Sequence, residues 1–362
     1  MKKVRVHLKN KAYEIIIGSG ALKDVGKRLK ALTVGENAVI ITNDKIKSLV
    51  GNTLSKILTK SGFSTKFELI PDSEKSKSQA QTFKLINKIS QYDIKKKIFI
   101  ITLGGGVVGD LGGFVAAIYK RGINYVQIPT TLLAQVDSAI GGKVAIDLKN
   151  GKNLAGAFYQ PRIVISDTSI LTSLSRRQIR TGLAEVIKYA IIKDRFLFEY
   201  LDKNHKLILG LDKQKLEFII HRCSLIKAKI VEQDEKESKG IRTILNFGHT
   251  IGHAIEAASG YTRYTHGEAV AVGMVGAADI AVKIGLLSAN SLQQIKALIE
   301  KFGLPVTVRG LNANNILKAQ SFDKKFINKT NRFVLPRSIG TVVVREDIPA
   351  RTVKNAIIRL ID

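Results

Sequence analysis

The sequence predicts two domains of different class: an α/β domain over residues 1–174 and a mainly α-helical domain over residues 175–362. Three observations predict this. Strand-like and helix-like segments alternate through the first half, as when parallel strands are joined by crossover helices. Beyond about Leu174 strand signals thin out and long helical periodicities take over. The 362 residues, 45% of them hydrophobic, also suffice for more than one core.

In chain order, Tyr13 to Ile17 reads as a strand. Ala38 to Thr42 is an apolar run followed by Asn43-Asp44, residue types that cap a helix. Thr65 to Ile70 is a third strand, ended by Pro71-Asp72-Ser73. Ser78 to Ile89 has helical periodicity, with Ala80, Phe83, Ile86 and Ile89 on one face. Ile98 to Leu103 and Tyr125 to Ile128 are short apolar strands, the second stopped at Pro129. Then come five helices: Arg176 to Lys193, Lys213 to Glu232, Asn246 to Ala258, Glu268 to Ile284 and Ser291 to Lys301. Strand signals return at Arg332 to Leu335 and Gly340 to Val344.

Composition limits the function classes. Lys2 and Lys3 lead into Val-Arg-Val-His rather than an apolar run, so no secretory leader is expected. The apolar run Ala269 to Val282 contains Asp279 and is shorter than the ~20 residues of a membrane span. The single cysteine, Cys223, cannot form an internal disulfide and reads as structural; a cytoplasmic protein is expected. The net charge of +28 has three readings, ranked in this order: a lysine-rich surface, an anionic small substrate, and nucleic acid. Basic residues are scattered, with Lys95-Lys96-Lys97 the longest run and no aromatic-interleaved patch.

Gly104-Gly105-Gly106-Val107-Val108-Gly109-Asp110 follows a predicted strand and contains a literal G-x-G-x-x-G. Such glycines let a backbone approach a pyrophosphate, which a helix N-terminus then binds. The motif alone is weak. It lies about 100 residues in, and Ile128-Pro129-Thr130-Thr131 stands where an acidic residue would be expected. A close-packed glycine turn explains the stretch equally well.

Three of six histidines fall between Asn246 and Glu268. His249 and His253 are four apart, on one face of a helix, and His266 follows in His266-Gly267-Glu268. The spacing reads as His249 and His253 co-ligating a metal, helped by His266, ahead of the alternative of two polar helix residues satisfied by hydrogen bonds. Glu185, Glu256 and Glu268 are the carboxylate candidates. Glu185 and Lys188 share a helix face, as an ordinary ion pair or as a ligand beside a phosphate-binding lysine. Cationic residues beside glycines (Arg121, Lys143, Lys152) suggest an anion site between the domains.

Seven blocks together resemble the 3-dehydroquinate synthases of the shikimate pathway. They are Gly104 to Asp110, Ile128-Pro129-Thr130-Thr131, Asp137 to Lys143, Gly151-Lys152-Asn153, Gly182 to Tyr189, Asn246 to His253, and His266 to Ala271, in the family's order over nearly the whole chain. The resemblance implies an N-terminal nucleotide-binding α/β domain, a C-terminal helical metal-binding domain and an active site in the cleft between them. It implies NAD, one divalent metal ion (zinc ahead of cobalt) and a homodimer. The substrate would be 3-deoxy-D-arabino-heptulosonate 7-phosphate, an anionic sugar phosphate, and the products 3-dehydroquinate and phosphate. Membrane and nucleic-acid partners are not expected.

Carried over residue by residue, the resemblance moves the metal ligands to Glu185, His249 and His266 and turns His253 toward the substrate. Asp72, Glu74, Lys77, Gly105, Gly106, Val107, Val108, Gly109, Asp110, Thr130, Thr131 and Thr172 would contact NAD, with Lys143 and Lys152. The substrate would meet Asp137, Lys143, Lys152, Asn153, Lys188, Lys227, Arg242, Asn246 and His253, with Lys324 or Lys325 near its carboxylate. Arg121 would reach the neighbouring subunit's phosphate pocket. The stretch Asp234 to Arg242 is one residue longer than the family's usual spacing, and the chain to about residue 65 carries no sharp motif. Three rivals remain: a cyclase for another sugar phosphate, such as sedoheptulose 7-phosphate or glucose 6-phosphate; an NAD- and metal-dependent polyol dehydrogenase; and a nucleic-acid-binding protein with an inactive enzyme fold.

Overall fold

The computed structural model describes residues 1–9, 11–327 and 332–362, the side chains of 321–327 excepted; Lys324 and Lys325 therefore lie outside the described side chains. The chain divides into two compact units, residues 1–174 with 216–236, and residues 175–215 with 237–362. Most of residues 216–236 belong to a long helix, Lys213–Gln233, that joins the first unit, although the boundary in the sequence pattern falls after Leu174.

The first unit is built on a seven-stranded sheet: β1 (Lys2–Val6), β2 (Tyr13–Gly18), β3 (Asn37–Thr42), β4 (Ser64–Leu69), β5 (Ile98–Gly104), β6 (Tyr125–Pro129) and β9 (Ile163–Asp167). The spatial order is β1-β2-β9-β6-β5-β3-β4. Only β1 runs antiparallel, to β2; the other pairings are parallel. Such strands are covered on both faces, so β3, β5 and β6 read as unbroken apolar runs. Alternate residues feed two cores. Ala38, Ile40 and Ile101 pack with Leu29 of α1 (Val25–Ala31), and with Leu54 and Leu58, which lie beyond the short α2 (Asp44–Ile46) in α3 (Asn52–Lys60). Val39, Ile41 and Ile100 pack with Leu85 and Ile89 of α4 (Gln79–Tyr92) and Leu111 and Val115 of α5 (Gly106–Ile118).

From β3 the chain crosses to β4 on one side and returns to β5 on the other, so β3 and β5 flank the point where strand order reverses. In open α/β sheets ligands gather outside the carboxyl ends of strands at such a point. The glycine stretch sits there, at the end of β5. A hairpin, β7 (Lys143–Leu148) with β8 (Gly151–Phe158), packs its Val144 and Ile146 into the second core. Neither this hairpin nor β1 and β9 is among the strands expected from the sequence.

The predicted face of α4 is rotated. Its buried residues are Thr82, Leu85 and Ile89, while Phe83 is 54% exposed. Of the expected face, Ala80 and Phe83 are exposed, whereas Ile86 packs against the core and Ile89 is buried in it. Asn43 caps α2 as expected, accepting from the Ile46 amide.

The second unit contains α6 (Arg176–Lys193), α7 (Arg195–Leu209), the start of α8 (Lys213–Gln233), α9 (His249–Ala258), α10 (His266–Lys283), α11 (Ala289–Lys301), α12 (Ala313–Ile327), a hairpin of β10 (Phe333–Ser338) and β11 (Thr341–Arg345), and α13 (Ala350–Arg359). Two helix starts differ from expectation, and both concern histidines. Asn246 ends a 3-10 turn, Gly248 caps α9 with φ of 79°, and the helix begins at His249. Helix α10 begins at His266, not Glu268, because Thr265 and Glu268 form a capping box around its first turn. Among the described residues no helix is long and apolar enough to cross a membrane.

Candidate functional site

Each unit carries a cluster of candidate residues. In the first, the glycine stretch divides into two kinds of glycine. A Cβ at Gly104 would meet Val108 Cγ2 at 2.5 Å, one at Gly112 would meet Thr102 Cγ2 at 2.5 Å, and one at Gly113 would meet Val144 Cγ1 at 2.4 Å. A Cβ at Gly109 would meet Gln127 Oε1 at 2.8 Å. These glycines let α5 lie against β5, β6 and β7, as the close-packing reading holds. Gly105 and Gly106 are looser, with nearest atoms at 3.2 and 3.3 Å on Thr131 and Ser138. Gly105 caps α5, and the Gly109 amide is the first to bond back, to the Gly105 carbonyl at 3.0 Å. The amides of Gly106, Val107 and Val108 thus precede the helix's own ladder, as an anion site needs. Thr130 donates its amide to the Gly104 carbonyl, and Thr131 Oγ1 caps the turn at Ala134, so both residues flank this end of the strand.

Beside it, Lys77 is buried and donates to Asp110 Oδ2 at 2.8 Å and Asn153 Oδ1 at 2.5 Å. Burial alone would lower the Lys77 pKa, but the Asp110 carboxylate overrides it and the net shift is upward. Burial also raises Asp110, against the pull of Lys77. Glu74 lies 4.0 Å from Lys77 and 3.8 Å from Lys152, so five predicted residues from three segments meet here. Asn153 sits at φ of 56°, and its amide donates to Asp147 Oδ1 at 2.8 Å. Asp147 escaped the sequence reading; its signal, an acid in a hairpin turn, is too common to single out.

Lys227 donates to the carbonyl and Oδ1 of Asp137, at 2.8 and 2.5 Å. Asp72 is exposed, Lys143 is exposed at the start of β7, and Thr172 donates its hydroxyl to the Ser169 carbonyl. Arg121 is exposed, and it and Lys120 are consecutive left-handed residues at φ of 63° and 49°. Each such non-glycine residue costs roughly 1–2 kcal/mol, a strain the surrounding structure must hold.

In the second unit, Glu185 and Lys188 lie on the buried length of α6 and pair with each other. His249 Nε2 and His266 Nε2 lie 3.6 and 3.3 Å from Glu185 Oε1. Glycines bring these three together. A Cβ at Gly267 would meet the Thr181 carbonyl oxygen at 2.4 Å, so α10 starts directly against α6. A Cβ at Gly273 would meet the Gly248 carbonyl oxygen at 2.0 Å, so α9 lies against α10. Glu268 is not a ligand candidate here. It closes the capping box and takes a two-pronged bond from Arg177, at 2.8 and 2.7 Å, which holds its pKa down although burial opposes this.

The unused ring nitrogens are also engaged. His249 Nδ1 lies 3.1 Å from the Phe247 carbonyl oxygen, and His266 Nδ1 lies 3.4 Å from Glu256 Oε2. Holding Nδ1–H on an acceptor directs the Nε2 lone pair inward, the arrangement that orients metal-ligating histidines. Burial, then the Lys188 ammonium, lowers the His249 pKa to about 3. Burial would lower His266 too, yet its bonds to Glu185 and Glu256 raise it to about 10.

The face shared by His249 and His253 is as the spacing predicts, with ring centroids 5.2 Å apart. Yet among the described residues no candidate metal group holds both His249 and His253; one such group is Glu185, His249 and His266, around a fully buried carboxylate. A second such group, His253, Glu256 and His266, shares one histidine with it. Arg242 is buried despite the lengthened stretch before it, while Asn246 and His253 are exposed. The Phe247 carbonyl escaped the sequence reading, because a backbone acceptor leaves no mark in the residue string.

The model described as 3-dehydroquinate synthase N-terminal matches residues 68–181, and that described as 3-dehydroquinate synthase C-terminal matches residues 182–326. The chain is 45% identical over 349 residues to the 3-dehydroquinate synthase of Desulforamulus reducens, covering 96% of this chain and 97% of that one. It is 46% identical over 349 residues to that of Thermoanaerobacter pseudethanolicus, covering 95% and 98%. Among solved structures, it is similar to a 2-deoxy-scyllo-inosose synthase complexed with carbaglucose-6-phosphate, NAD+ and Co2+. The TM-score there is 0.90, with 25% identity over 99% of this chain and 100% of that one.

Proposed function

The chain belongs to the 3-dehydroquinate synthase family, and from that premise we propose how its residues divide the work. It is an enzyme, a carbon–oxygen lyase that converts 3-deoxy-D-arabino-heptulosonate 7-phosphate to 3-dehydroquinate and phosphate. The observation that carries the site assignment is the convergence of Glu185, His249 and His266, with both Nδ1 atoms held from behind.

The donor set fits a divalent metal. Tetrahedral bonds of about 2.0–2.1 Å put two ligand atoms about 3.4 Å apart, and the Nε2 to Oε1 separations are 3.3 and 3.6 Å. Two imidazoles and one carboxylate suit zinc and leave positions open for substrate, with cobalt the alternative. NAD is held at the end of β5 by the Gly105 to Asp110 turn, with Asp72, Glu74, Lys77, Thr130, Thr131 and Thr172 around it. The open amides before the α5 ladder support this.

When bound, NAD supplies a hydride acceptor that later returns the hydride, and the metal supplies Lewis acidity toward substrate hydroxyls. The chain's own groups do the rest. Lys143, Lys152, Lys188, Lys227 and Arg242 hold carboxylate and phosphate charge. Asp137, Asn153 and Asn246 orient hydroxyls. His253, exposed beside the His249 ring, receives or gives a proton at the leaving oxygen. Ring opening and an intramolecular aldol closure complete the carbocycle. The relatives at 45% and 46% identity are dehydroquinate synthases, whereas the cyclase for a carboxylate-free sugar stands at 25%, which favours this substrate.

The enzyme works as a cytoplasmic homodimer in which Arg121 serves the neighbouring subunit's phosphate. The outward apolar residues Leu154 and Phe158 of β8 support such a contact. The test is phosphate release from the heptulosonate phosphate by purified protein with NAD, with and without chelator. Release that needs metal and accumulates no NADH is expected. No release from protein that still binds NAD and metal would overturn the reading.

A further inference from the structure

A cavity of about 340 Å³ lies in the first unit where β1, β2 and β9 meet the end of α1. It belongs to the opposite end of the sheet from the glycine turn. Tyr13, Glu14 and Ile163 line it, and these are the first residues of the parallel strands β2 and β9. Thr130, Thr131 and Thr172 follow the last residues of β6 and β9. At about 3.3 Å per residue the two ends of a five-residue strand are about 15 Å apart, so the cavity is distinct from the cofactor end.

Its lining is amphipathic. Arg5, Arg28 and Arg162 contribute guanidinium groups, against the single carboxylate of Glu14, leaving it positive by two. Arg162 Nη2 donates to the Leu32 carbonyl at 3.4 Å, which answers the carbonyl end of α1. The side chains of Arg5 and Arg28 have no hydrogen bond or ion pair among the described residues, and Arg28 Nε is buried without a partner. A buried donor left unmatched is costly, and nearly all such groups in folded proteins find an acceptor. The remaining wall is apolar, from Ala31, Leu32 and Ile163. Its volume falls at the small end of ligand pockets.

We propose that this cavity binds a small organic anion, its carboxylate or phosphate held by the three arginines and its apolar body laid against Leu32 and Ile163. Guanidinium forks bind either headgroup in two-pronged fashion. The occupant would tie the β1–β2 edge to α1 and β9 without touching the reaction.

Phenyl phosphate, benzoate and inorganic phosphate are titrated calorimetrically into the full chain and into Arg5→Gln, Arg28→Gln and Arg162→Gln. Each substitution should weaken phenyl phosphate or benzoate about tenfold or more, by loss of a charge-assisted bond. Inorganic phosphate, lacking the apolar body, should bind about tenfold more weakly than phenyl phosphate. The better of the two aromatic probes identifies the headgroup. Turnover should be unchanged in all three variants. Equal anion affinity in wild type and variants overturns the proposal, as does a single anion site that vanishes with Lys152→Ala. Thermal unfolding reports whether Arg28→Gln and Arg162→Gln fold; Arg5→Gln, at an exposed strand position, decides the matter if they do not.

Discussion

Replacing Gly267 by alanine tests whether backbone contact between α6 and α10 sets the metal geometry. The added Cβ would lie 2.4 Å from the Thr181 carbonyl oxygen and 2.5 Å from Thr181 Cα. Both are backbone atoms in the middle of a helix, so no rotamer change relieves the clash. Ordinary contact needs about 3.4 Å or more, so the start of α10 must move about 1 Å away. His266 is the first residue of α10 and moves with it. Metal ligand distances tolerate only about 0.2 Å, so the proposed ligand His266 would leave bonding range. Overpacking of this kind costs about 1–3 kcal/mol in stability. Metal affinity should fall about 10–100-fold, as when groups orienting ligands are lost. The assay is competition for zinc against a chromophoric chelator, with urea unfolding in parallel. Wild-type zinc affinity in a folded Gly267→Ala protein would refute the reasoning.

Three further outcomes are expected. Lys188→Ala should lower turnover of the heptulosonate phosphate at least tenfold while zinc stays bound, because Lys188, paired with Glu185, is proposed to hold substrate charge and not to ligate the metal; parallel loss of zinc and activity would count against that role. Lys77→Met should raise the KM for NAD and cost about 1–3 kcal/mol by stranding Asp110 and Asn153; unchanged NAD affinity by fluorescence titration would remove Lys77 from the cofactor site. Burial and the bond to Asp93 push the Tyr119 phenol up to about 12, above its unfolded value of 10. Its contribution to stability is therefore complete below pH 10 and lost as pH rises toward 12. Burial also raises Tyr125 and Tyr159, so phenolate absorbance of the folded chain should show several late tyrosines, with one fewer in Tyr119→Phe.

Much of the site was legible because its residues occur in compact blocks. His266-Gly267-Glu268 holds three separate jobs: a ligand candidate, a contact without a Cβ, and half of a capping box. The spacing of His249 and His253 did report a shared face. It could not report that Glu185, 64 residues upstream, approaches His249 more usefully than His253 does. Helix periodicity places side chains on a face, but only packing decides what that face meets. The same limit explains α4. Of its expected stripe Ile89 meets the core, with Thr82 and Leu85 beside it, while Phe83 stays exposed.

By itself the sequence determined the α/β alternation of the first part and the helical character of the second, because side-chain periodicity is a local property of the backbone. It also determined where a Cβ is missing. Only the tertiary structure decided what each missing Cβ makes room for. At Gly104, Gly109, Gly112 and Gly113 the space is filled by the protein's own side chains, and at Gly105 and Gly106 it is looser. That difference depends on Thr102, Gln127, Thr131, Ser138 and Val144, brought opposite the glycines by strand pairing and helix packing. Atoms that meet across a sheet are set by the fold of the whole unit, which no short stretch of residues encodes.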